Sequence, residues 1–307
     1  MITVESQADV RSPPKLPLTT TLGPIRIGVT DKQQALAIWR DVVGLEVMFE
    51  GDHSVSLGVD GKTLALLDLG AGRPVVKRTT GLYHVAIHVP TRKDLAQFLV
   101  RALQQRVRVS PTDHLVSEAI YLWDHDGNGI EITFETPWRG RIGEADEGFY
   151  VKSADGQPHS GREPIDVDGL MAELGPAPAL EAQMPAGTRI GHVHVHVTDL
   201  QQTMRFYRDG LGFGGLFIMR QFGMGDVGLD YMPHAIAFNV WAGRDAEPGP
   251  SDAAGLRWFQ INVPDQKTLG EIRDRLGELQ VPVSDIDGGF EVRDPAQNRI
   301  KIVAAQA

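Results

Sequence analysis

The stretch IGHVHVHVTD, residues 190–199, has a counterpart earlier in the chain, LGPIRIGVTD, residues 22–31. In both copies apolar residues alternate with other residues, which is the pattern of a half-buried strand. Each copy is followed by apolar residues at helical spacing that end at a glycine, Gly44 in the first and Gly210 in the second. A further strand-like run follows each glycine. The two copies therefore predict a repeated strand–helix–strand unit.

A second pair of segments repeats in the same way. GLYHVAIHVP, residues 81–90, matches GLRWFQINVP, residues 255–264, and each leads into a helical pattern. The two segments close on related endings, DHDGNGIE at residues 124–131 and DPAQNRIK at residues 294–301. Together the pairs predict four modules of the form βαβββ, numbered 1 to 4 in chain order, and an α+β fold class.

Composition limits the kinds of protein this chain can be. A length of 307 residues suggests about two domains, and the net charge of −10 argues against nucleic acid, because phosphate binding needs clustered Lys and Arg. No apolar run approaches the roughly 18 residues of a membrane span, and Met1 to Pro17 lacks the pattern of a secretion signal. We therefore expect a cytoplasmic protein without nucleic-acid or membrane partners. Without cysteine, any metal must be held by His and carboxylates.

The modules divide the chain into four predicted segments. A tail of residues 1–20 precedes an N-terminal domain of modules 1 and 2, residues 21–137. A linker, residues 138–186, is rich in Gly, Pro and acidic residues and is predicted to carry one short helix near Val167 to Leu174. Modules 3 and 4 form the predicted C-terminal domain, residues 187–307.

Three residues with the chemistry of metal ligands stand at the ends of predicted strands: His84, His192 and Glu131. Two histidines and one carboxylate are the set with which many non-haem oxygenases hold Fe(II). A single histidine on an apolar strand is more often structural, so the interpretation depends on whether the three residues meet.

The motifs also resemble a known family. The GLYH opening at residues 81–84, the DHLVSEA stretch at 113–119 and the NVWAG run at 239–243 are similar to those of the vicinal oxygen chelate superfamily. Within it they resemble two-domain bacterial extradiol ring-cleaving enzymes of the catechol 2,3-dioxygenase type, over about Leu22 to Val303. The module endings alone are shared with glyoxalases and antibiotic-resistance proteins.

This resemblance implies two glyoxalase/extradiol dioxygenase-like domains. It also implies an Fe(II) cofactor, with Mn(II) as the alternative metal, and an enzyme that inserts O₂ into a catecholic ring next to its vicinal hydroxyls. The substrates would be a small aromatic diol and O₂, and the product a ring-opened semialdehyde. Exposed sheet edges in this fold often pair between subunits, which makes a homo-oligomer an open expectation.

In this superfamily the metal lies in a cup formed by two modules, with a ligand His from the first strand of each and a Glu from the last strand of one. The first-strand positions of modules 1 to 4 hold Pro24, His84, His192 and Trp258. The last-strand position holds Glu131 in module 2, whereas module 4 has Lys301, whose ammonium has no lone pair to offer. Of the pairings compared, modules 2 with 3 alone supply a complete ligand set, which is His84, His192 and Glu131.

The resemblance extends to acid–base residues around the metal. Tyr121 lies ten positions before Glu131, His114 lies upstream of that Tyr, and His234 opens the last strand of module 3. We expect Tyr121 to hydrogen-bond the deprotonated catechol oxygen, His114 to donate a proton later, and His234 to transfer a proton and stabilise the developing negative charge. At the equivalent places we identify Ser284 and Glu291 in module 4 and Lys62 in module 1.

Further residues are predicted to line the substrate pocket. His194 shares a strand face with His192, because side chains two residues apart point the same way. Asn239 and Trp241 belong to the NVWAG run and are predicted to contact substrate as well. The remaining histidines are interpreted as surface or packing residues (His88, His125, His196) or as loop residues (His53, His159). His125 stands where relatives usually have Pro.

Two other functions remain open from the sequence. A glyoxalase-like isomerase or thiol transferase would use Zn, Ni or Mn with two metal carboxylates, and it would not need the His/Tyr residues. A small-molecule-binding resistance protein would not need metal ligands. Stoichiometric bound metal would count against the second alternative.

Overall fold

The structure, a computed structural model, describes residues 10–145, 148–176, 183–230 and 232–305. The four predicted modules are present, and each begins with a long strand followed by a helix. Module 1 contains β1 (Thr21–Val29), α1 (Lys32–Leu36), β2 (Glu46–Glu50), β3 (Ser54–Val59) and β4 (Lys62–Leu69). Module 2 contains β5 (Thr79–His88), α2 (Arg92–Gln104), β6 (Ser110–Asp113), β7 (Ser117–Trp123) and β8 (Gly129–Glu135).

The segment between the second and third modules contains β9 (Gly140–Ala145), β10 (Gly148–Ser153), β11 (Pro158–His159) and α3 (Val167–Ala172). Module 3 contains β12 (Arg189–His196), α4 (Leu200–Arg205), β13 (Gly214–Met219), β14 (Met224–Leu229) and β15 (Met232–Asn239). A two-residue strand, β16 (Glu247–Pro248), precedes module 4, which contains β17 (Gly255–Val263), α5 (Gln266–Glu278), β18 (Val283–Ile286), β19 (Gly289–Arg293) and β20 (Arg299–Ala304). The predicted α+β fold of βαβββ modules is confirmed.

Each module's helix begins at a capping residue directly after the first strand. The side chains of Asp31, Thr91, Asp199 and Asp265 accept hydrogen bonds from backbone N–H groups of the first helical turn. Capping satisfies donors that have no partner inside the helix. The helices of modules 1 and 3 continue into six-residue π-helical segments, Ala37–Val42 and Phe206–Leu211. The strand-to-helix transition is therefore encoded locally in all four modules.

The modules combine in pairs that are not the sequential pairs. Modules 2 and 3 form one sheet in the order β13-β14-β15-β12-β5-β8-β7-β6, with β16 beside β5; we call it the site sheet. Modules 4 and 1 form another in the order β18-β19-β20-β17-β1-β4-β3-β2, which we call the second sheet. In each sheet the first strands of the two modules run antiparallel at the centre, β5 beside β12 and β17 beside β1.

The two sheets are joined by a pair of equivalent turns. In the turn after β7, Asp124 Oδ1 accepts from the backbone N–H groups of Asp126 and Asn128, and Oδ2 accepts from Trp39 Nε1 of module 1 at 3.1 Å. In the turn after β19, Asp294 is held in the same way and its Oδ2 accepts from the Tyr207 hydroxyl of module 3 at 3.2 Å. Modules adjacent in sequence are thereby linked across sheets. His125 is exposed and leaves this hydrogen-bond pattern unchanged.

The segment predicted as a linker contains more structure than expected. Its β9, β10 and β11 form a small antiparallel sheet, and the predicted helix is present but ends at Ala172 rather than Leu174. His159, predicted in a loop, lies in β11. β11 has only two residues and β9 (GRIGEA) has a single large apolar residue, so neither carries an alternating apolar pattern that the sequence could indicate. In the part of the chain that the structure describes, no helix is long and apolar enough to cross a membrane.

Candidate metal centre

The three predicted ligands meet at the centre of the site sheet. His84 lies on β5, His192 on the antiparallel neighbour β12, and Glu131 on β8, which runs parallel to β5 on its other side. His84 Nε2 lies 3.1 Å from His192 Nε2 and 2.9 Å from Glu131 Oε2, and His192 Nε2 lies 3.1 Å from the same oxygen. All three side chains are buried. Among the described residues, they form the cluster of His and carboxylate groups that could hold a metal ion.

The spacing of the three ligand atoms fits a metal with ligands at right angles. For metal–ligand distances of about 2.1 Å, two ligands at 90° are separated by about 3.0 Å and two at the tetrahedral angle by about 3.4 Å. The observed separations of 2.9 and 3.1 Å match the right-angled arrangement. Three ligands on one face of an octahedron leave neighbouring positions open. Two imidazoles and one carboxylate are therefore close enough together to hold one first-row metal ion.

The electrostatics of the cluster also favour a cation. Burial alone would raise the pKa of Glu131, but His192 and His84 hold that pKa well below its usual value. Burial lowers the pKa of His192 well below its usual value, so its imidazole is neutral. The Thr133 hydroxyl donates to Glu131 Oε1 at 2.8 Å and leaves Oε2 facing the histidines. An ionised carboxylate beside a neutral imidazole is the protonation state that metal binding requires.

Tyr121 and His114 form a hydrogen-bonded pair beside the cluster. Tyr121 lies on β7 directly opposite Glu131, and its hydroxyl lies 2.9 Å from His114 Nε2. His114 Nδ1 lies 2.6 Å from the carbonyl oxygen of Gly161, which can only accept, so Nδ1 carries the proton. Burial lowers the pKa of His114, and Nε2 of the neutral ring then accepts from the tyrosine. Burial, with the charge of Glu131, raises the pKa of Tyr121 well above its usual value and keeps it a donor.

His234 approaches the cluster from the other side. Its ring centroid lies 4.3 Å from that of His192, in an edge-to-face arrangement. Its Nδ1 contacts the carboxylate of Asp226, which lies on β14 and is buried. Burial alone would lower the pKa of His234, but the charge and hydrogen bond of Asp226 raise it. Asp226 was not among the residues predicted from the sequence, although an acidic residue inside the Gly-rich apolar strand β14 was a usable signal.

The three residues predicted to contact substrate differ in how deeply they are buried. His194 is buried, and its ring packs edge-to-face against Tyr83 with centroids 4.9 Å apart. Asn239 is completely buried; its amide nitrogen lies 2.8 Å from His194 Nε2, and its amide oxygen lies 2.8 Å from His196 Nδ1. Trp241 is 45% exposed, with its ring 5.1 Å from that of Tyr83. The structure therefore places Asn239 behind His194 and Trp241 near the surface, and substrate contact stays a prediction for all three.

His88 is the other residue whose position the sequence did not indicate. It is buried, as the packing interpretation allows, but its Nε2 lies 3.4 Å from His192 Nδ1, on the side of that ring away from the cluster. Its Nδ1 lies 3.4 Å from Glu135 Oε1. The ring fits there because residue 191 is glycine: a Cβ at that position would come within 1.8 Å of the His88 ring. Such contacts orient a metal-binding histidine and select its tautomer.

Comparisons with known proteins identify the family of this chain. The family model of the Glyoxalase/Bleomycin resistance protein/Dioxygenase superfamily matches residues 21–132 and 189–302, and the chain belongs to this superfamily. The resemblance inferred from the sequence is thus confirmed. A curated relative from Bacillus subtilis (strain 168), named catechol-2,3-dioxygenase, is 33% identical over 281 residues, covering 90% of this chain and 94% of the relative.

Solved structures show the same fold at low sequence identity. A crystal structure of a suspected dioxygenase from Bacillus subtilis subsp. subtilis str. 168 has a TM-score of 0.60 at 13% identity, over 94% of this chain and 86% of the other. Glyoxalase I from Zea mays has a TM-score of 0.54 at 12% identity, over 93% of each chain. Since relatives with different chemistry share the fold, the activity must be argued from the site.

Proposed function

We propose that this protein is an Fe(II)-dependent extradiol dioxygenase that cleaves a catecholic ring next to its two hydroxyls and yields a ring-opened semialdehyde. The observation that carries the proposal is the arrangement of Tyr121, His114 and His234 around the His84–His192–Glu131 cluster. A relative named catechol-2,3-dioxygenase, similar over nearly its whole length, supports the same activity. Mn(II) is the alternative metal, since its ligand preferences are close to those of Fe(II).

When held by His84, His192 and Glu131, the metal would bring the diol and O₂ together and relay electrons from the diol, which is oxidised, to O₂, so that its own oxidation state is unchanged at the end. The protein residues would supply orientation and proton transfer. Tyr121 has one hydroxyl proton, which it would pass to His114 Nε2 across their 2.9 Å contact as its oxygen takes a proton from a diol hydroxyl. Tyr121 would then donate to the deprotonated substrate oxygen, and His114 would hold a proton to return later. His234, on the opposite side, would exchange a proton with the reacting oxygen at Nε2. Both atoms of O₂ enter the product, so no external reductant is needed.

The substrate would be a small aromatic diol, and the enzyme would belong to aromatic catabolism in the cytoplasm. The isomerase alternative shares the fold of glyoxalase I but does not require the tyrosine–histidine pair or His234. The binding-protein alternative does not require a metal. Bound iron together with ring cleavage therefore separates the three functions.

The test is anaerobic reconstitution with Fe(II), followed by catechol and air. We expect a yellow ring-opened semialdehyde to form, and His84→Ala to abolish both colour and iron binding. The matched control is Trp258→Ala, because Trp258 occupies the His84 position of the second sheet, and it should keep both. Stoichiometric iron without oxygen consumption, tested on catechols with alkyl, aryl and carboxylate substituents, would contradict the dioxygenase and favour the isomerase. Absence of iron would favour the binding protein.

A further inference from the structure

Asp226 is a buried carboxylate that contacts His234. It lies on β14 opposite Ala237 of β15, is 1% exposed, and contacts His234 Nδ1 through Oδ2. Its other oxygen, Oδ1, is buried and has no hydrogen-bond partner among the residues that the structure describes. Burying a carboxylate is costly unless a partner compensates for it. His234 is the residue whose imidazole provides that compensation.

The contact determines how the His234 ring is presented. A carboxylate accepts hydrogen bonds, so the ring nitrogen facing it, Nδ1, carries a proton. Nε2 is at the other edge of the ring, away from Asp226. The ring itself lies beside His192, and 40% of its side-chain surface is accessible. Asp226 thus holds the inner nitrogen as a donor and leaves the outer one to exchange a proton with a bound molecule.

The positions of Asp226 and His234 have counterparts in the second sheet, which lacks the set of candidate metal ligands. Asp226 pairs with Ala237 in the site sheet as Ser56 pairs with Leu66 in the second sheet. Three residues before Ala237 is His234, and three residues before Leu66 is Thr63, so strand register places Thr63 rather than Lys62 at the His234 position. Ser56 and Thr63 also touch, with their hydroxyl oxygens 3.2 Å apart. Both sheets therefore have a pair of polar side chains at these two positions. The pair that contains a carboxylate, Asp226 with His234, lies in the sheet that carries the candidate metal ligands.

We propose that Asp226 is a positioning residue that fixes the orientation and the Nδ1–H tautomer of His234, so that Nε2 faces the reacting oxygen. The inference rests on the proposed ring-cleaving function for its catalytic consequence, but not for the geometry of the pair. It assigns to Asp226 a role that acts through His234 alone. Removing the carboxylate should therefore impair His234 without disturbing iron or substrate binding.

The test is a double-mutant cycle on the Fe(II) enzyme with catechol. We expect His234→Ala to lower kcat about 100-fold, the scale of general acid–base catalysis, and Asp226→Ala to lower it about 10- to 100-fold. The double variant should be no worse than His234→Ala, because the second change removes a group that acts only through the first. Iron content should stay stoichiometric, and KM should change less than about threefold. Ser56→Ala, the counterpart in the second sheet, should leave all of these values unchanged.

Two results would overturn the proposal. One is a kcat for Asp226→Ala within about threefold of the wild type, and the other is losses that multiply in the double variant. If Asp226→Ala does not fold, Asp226→Leu replaces it in the cycle, since it fills a similar space and cannot accept a hydrogen bond from His234 Nδ1.

A second measurement separates this proposal from the proposed function. Imidazole ¹⁵N chemical shifts of the metal-free protein report the tautomer of His234 without any activity. The Nδ1–H form should be present in the wild type and lost in Asp226→Ala. If no catechol is cleaved but this change occurs, the ring-cleaving function fails and the positioning role stands. A His234 tautomer that is the same in both proteins would rule out the positioning role whatever the activity.

Discussion

The site sheet and the second sheet place opposite kinds of side chain at equivalent positions. At the central strand pair, His84 lies opposite His194 in the site sheet, and Trp258 lies opposite Arg26 in the second sheet. One strand further, Glu131 beside β5 corresponds to Lys301 beside β17. The backbone framework is the same, with antiparallel first strands flanked by parallel last strands.

These differences give the site sheet a candidate metal site and give the second sheet side chains that pair with each other. In the second sheet the Lys301 ammonium lies 4.2 Å from the centroid of the Trp258 ring, a cation–π contact. Arg26 Nε donates to Asp68 Oδ1 at 2.7 Å. The side chains of the second sheet therefore satisfy each other, whereas those of the site sheet direct three lone-pair donors at one point. The βαβββ framework supplies the positions, and the residue types decide the chemistry.

The largest expected difference concerns metal affinity. Glu131→Gln and Lys301→Gln introduce the same side chain at equivalent positions of the two sheets. Loss of the ligand carboxylate should weaken Fe(II) or Mn(II) binding at least about 100-fold, since even residues behind the ligands contribute about 10- to 100-fold. Lys301→Gln should bind metal like the wild type. In the same way, His192→Ala should lose metal binding, whereas Trp258→Ala should keep it. Metal analysis after anaerobic reconstitution measures this. Equal loss in both glutamine variants would show that the metal is not confined to the site sheet.

A smaller difference is expected in turnover. Tyr121 lies opposite Glu131 on β7, and Glu291 lies opposite Lys301 on β19, so the two residues are counterparts. Tyr121→Phe should lower kcat about 10- to 100-fold with iron retained, because the hydrogen bond to the substrate oxygen is lost. Glu291→Gln breaks a partly exposed pair with Arg299 and should leave kcat unchanged. Steady-state kinetics on iron-loaded protein distinguishes the two, and an unchanged kcat in Tyr121→Phe would remove that residue from the mechanism.

The two equivalent turns that join the sheets should contribute similar amounts to the free energy of unfolding. Tyr207→Phe and Trp39→Phe each remove one donor to a buried Asp, Asp294 in the first case and Asp124 in the second. Each variant should lose about 1.5–3 kcal/mol of the free energy of unfolding, the value for a hydrogen bond to a charged group. Trp39→Phe should lose somewhat more, because the smaller ring also leaves a cavity. Denaturant unfolding measures both, and a loss below about 0.5 kcal/mol in either would show that the turn does not fasten the sheets.

The smallest expected effect is a pH dependence in the second sheet. Burial raises the pKa of Asp294 to about 6, above its unfolded value of 3.8, despite the hydrogen bonds it accepts from Asn298 and Tyr207. The folded state therefore binds the Asp294 proton more tightly than the unfolded state, and this group stabilises the fold increasingly as pH falls through 6. Between pH 7 and 5 its contribution to the free energy of unfolding should rise by about 1 kcal/mol.

That contribution is measured as a difference between wild type and Asp294→Asn, both metal-free, in denaturant unfolding at the two pH values. Groups that titrate in both proteins cancel in the difference. If the gap between the two proteins were the same at pH 7 and pH 5, the raised pKa of Asp294 would be wrong.

Local sequence patterns were enough to predict most of the fold. The four modules were predictable because each first strand alternates and each helix begins at Asp31, Thr91, Asp199 or Asp265, signals that lie within about ten residues of each other. The candidate ligands were predictable because the family resemblance implies which strand positions hold ligands, and comparison of the repeats shows which modules have His or Glu there. The small sheet β9–β11 was not predictable, since β11 has only two residues and β9 has a single large apolar residue.

The residues behind the site were harder to predict for a different reason. Asp226 acts on His234 from a neighbouring strand, and His88 reaches His192 across the central strand pair beside Gly191. These contacts depend on register between strands, which sequence spacing alone does not specify. The alignment of His234 with Lys62 was wrong by one residue for the same reason.

The sequence by itself determined the module, its number of copies and the kinds of side chain that each copy presents at its first and last strands. The tertiary structure decided the strand pairing that puts modules 2 and 3 in one sheet, a pairing that the ligand set predicted but that the strand patterns do not specify. All four first strands have similar alternating patterns, so no local preference distinguishes pairing of β5 with β12 from pairing of β5 with β1. That choice depends on hydrogen bonding between strand edges and on packing of the whole chain. It brings His84 and His192, 108 residues apart, to within 3.1 Å of each other.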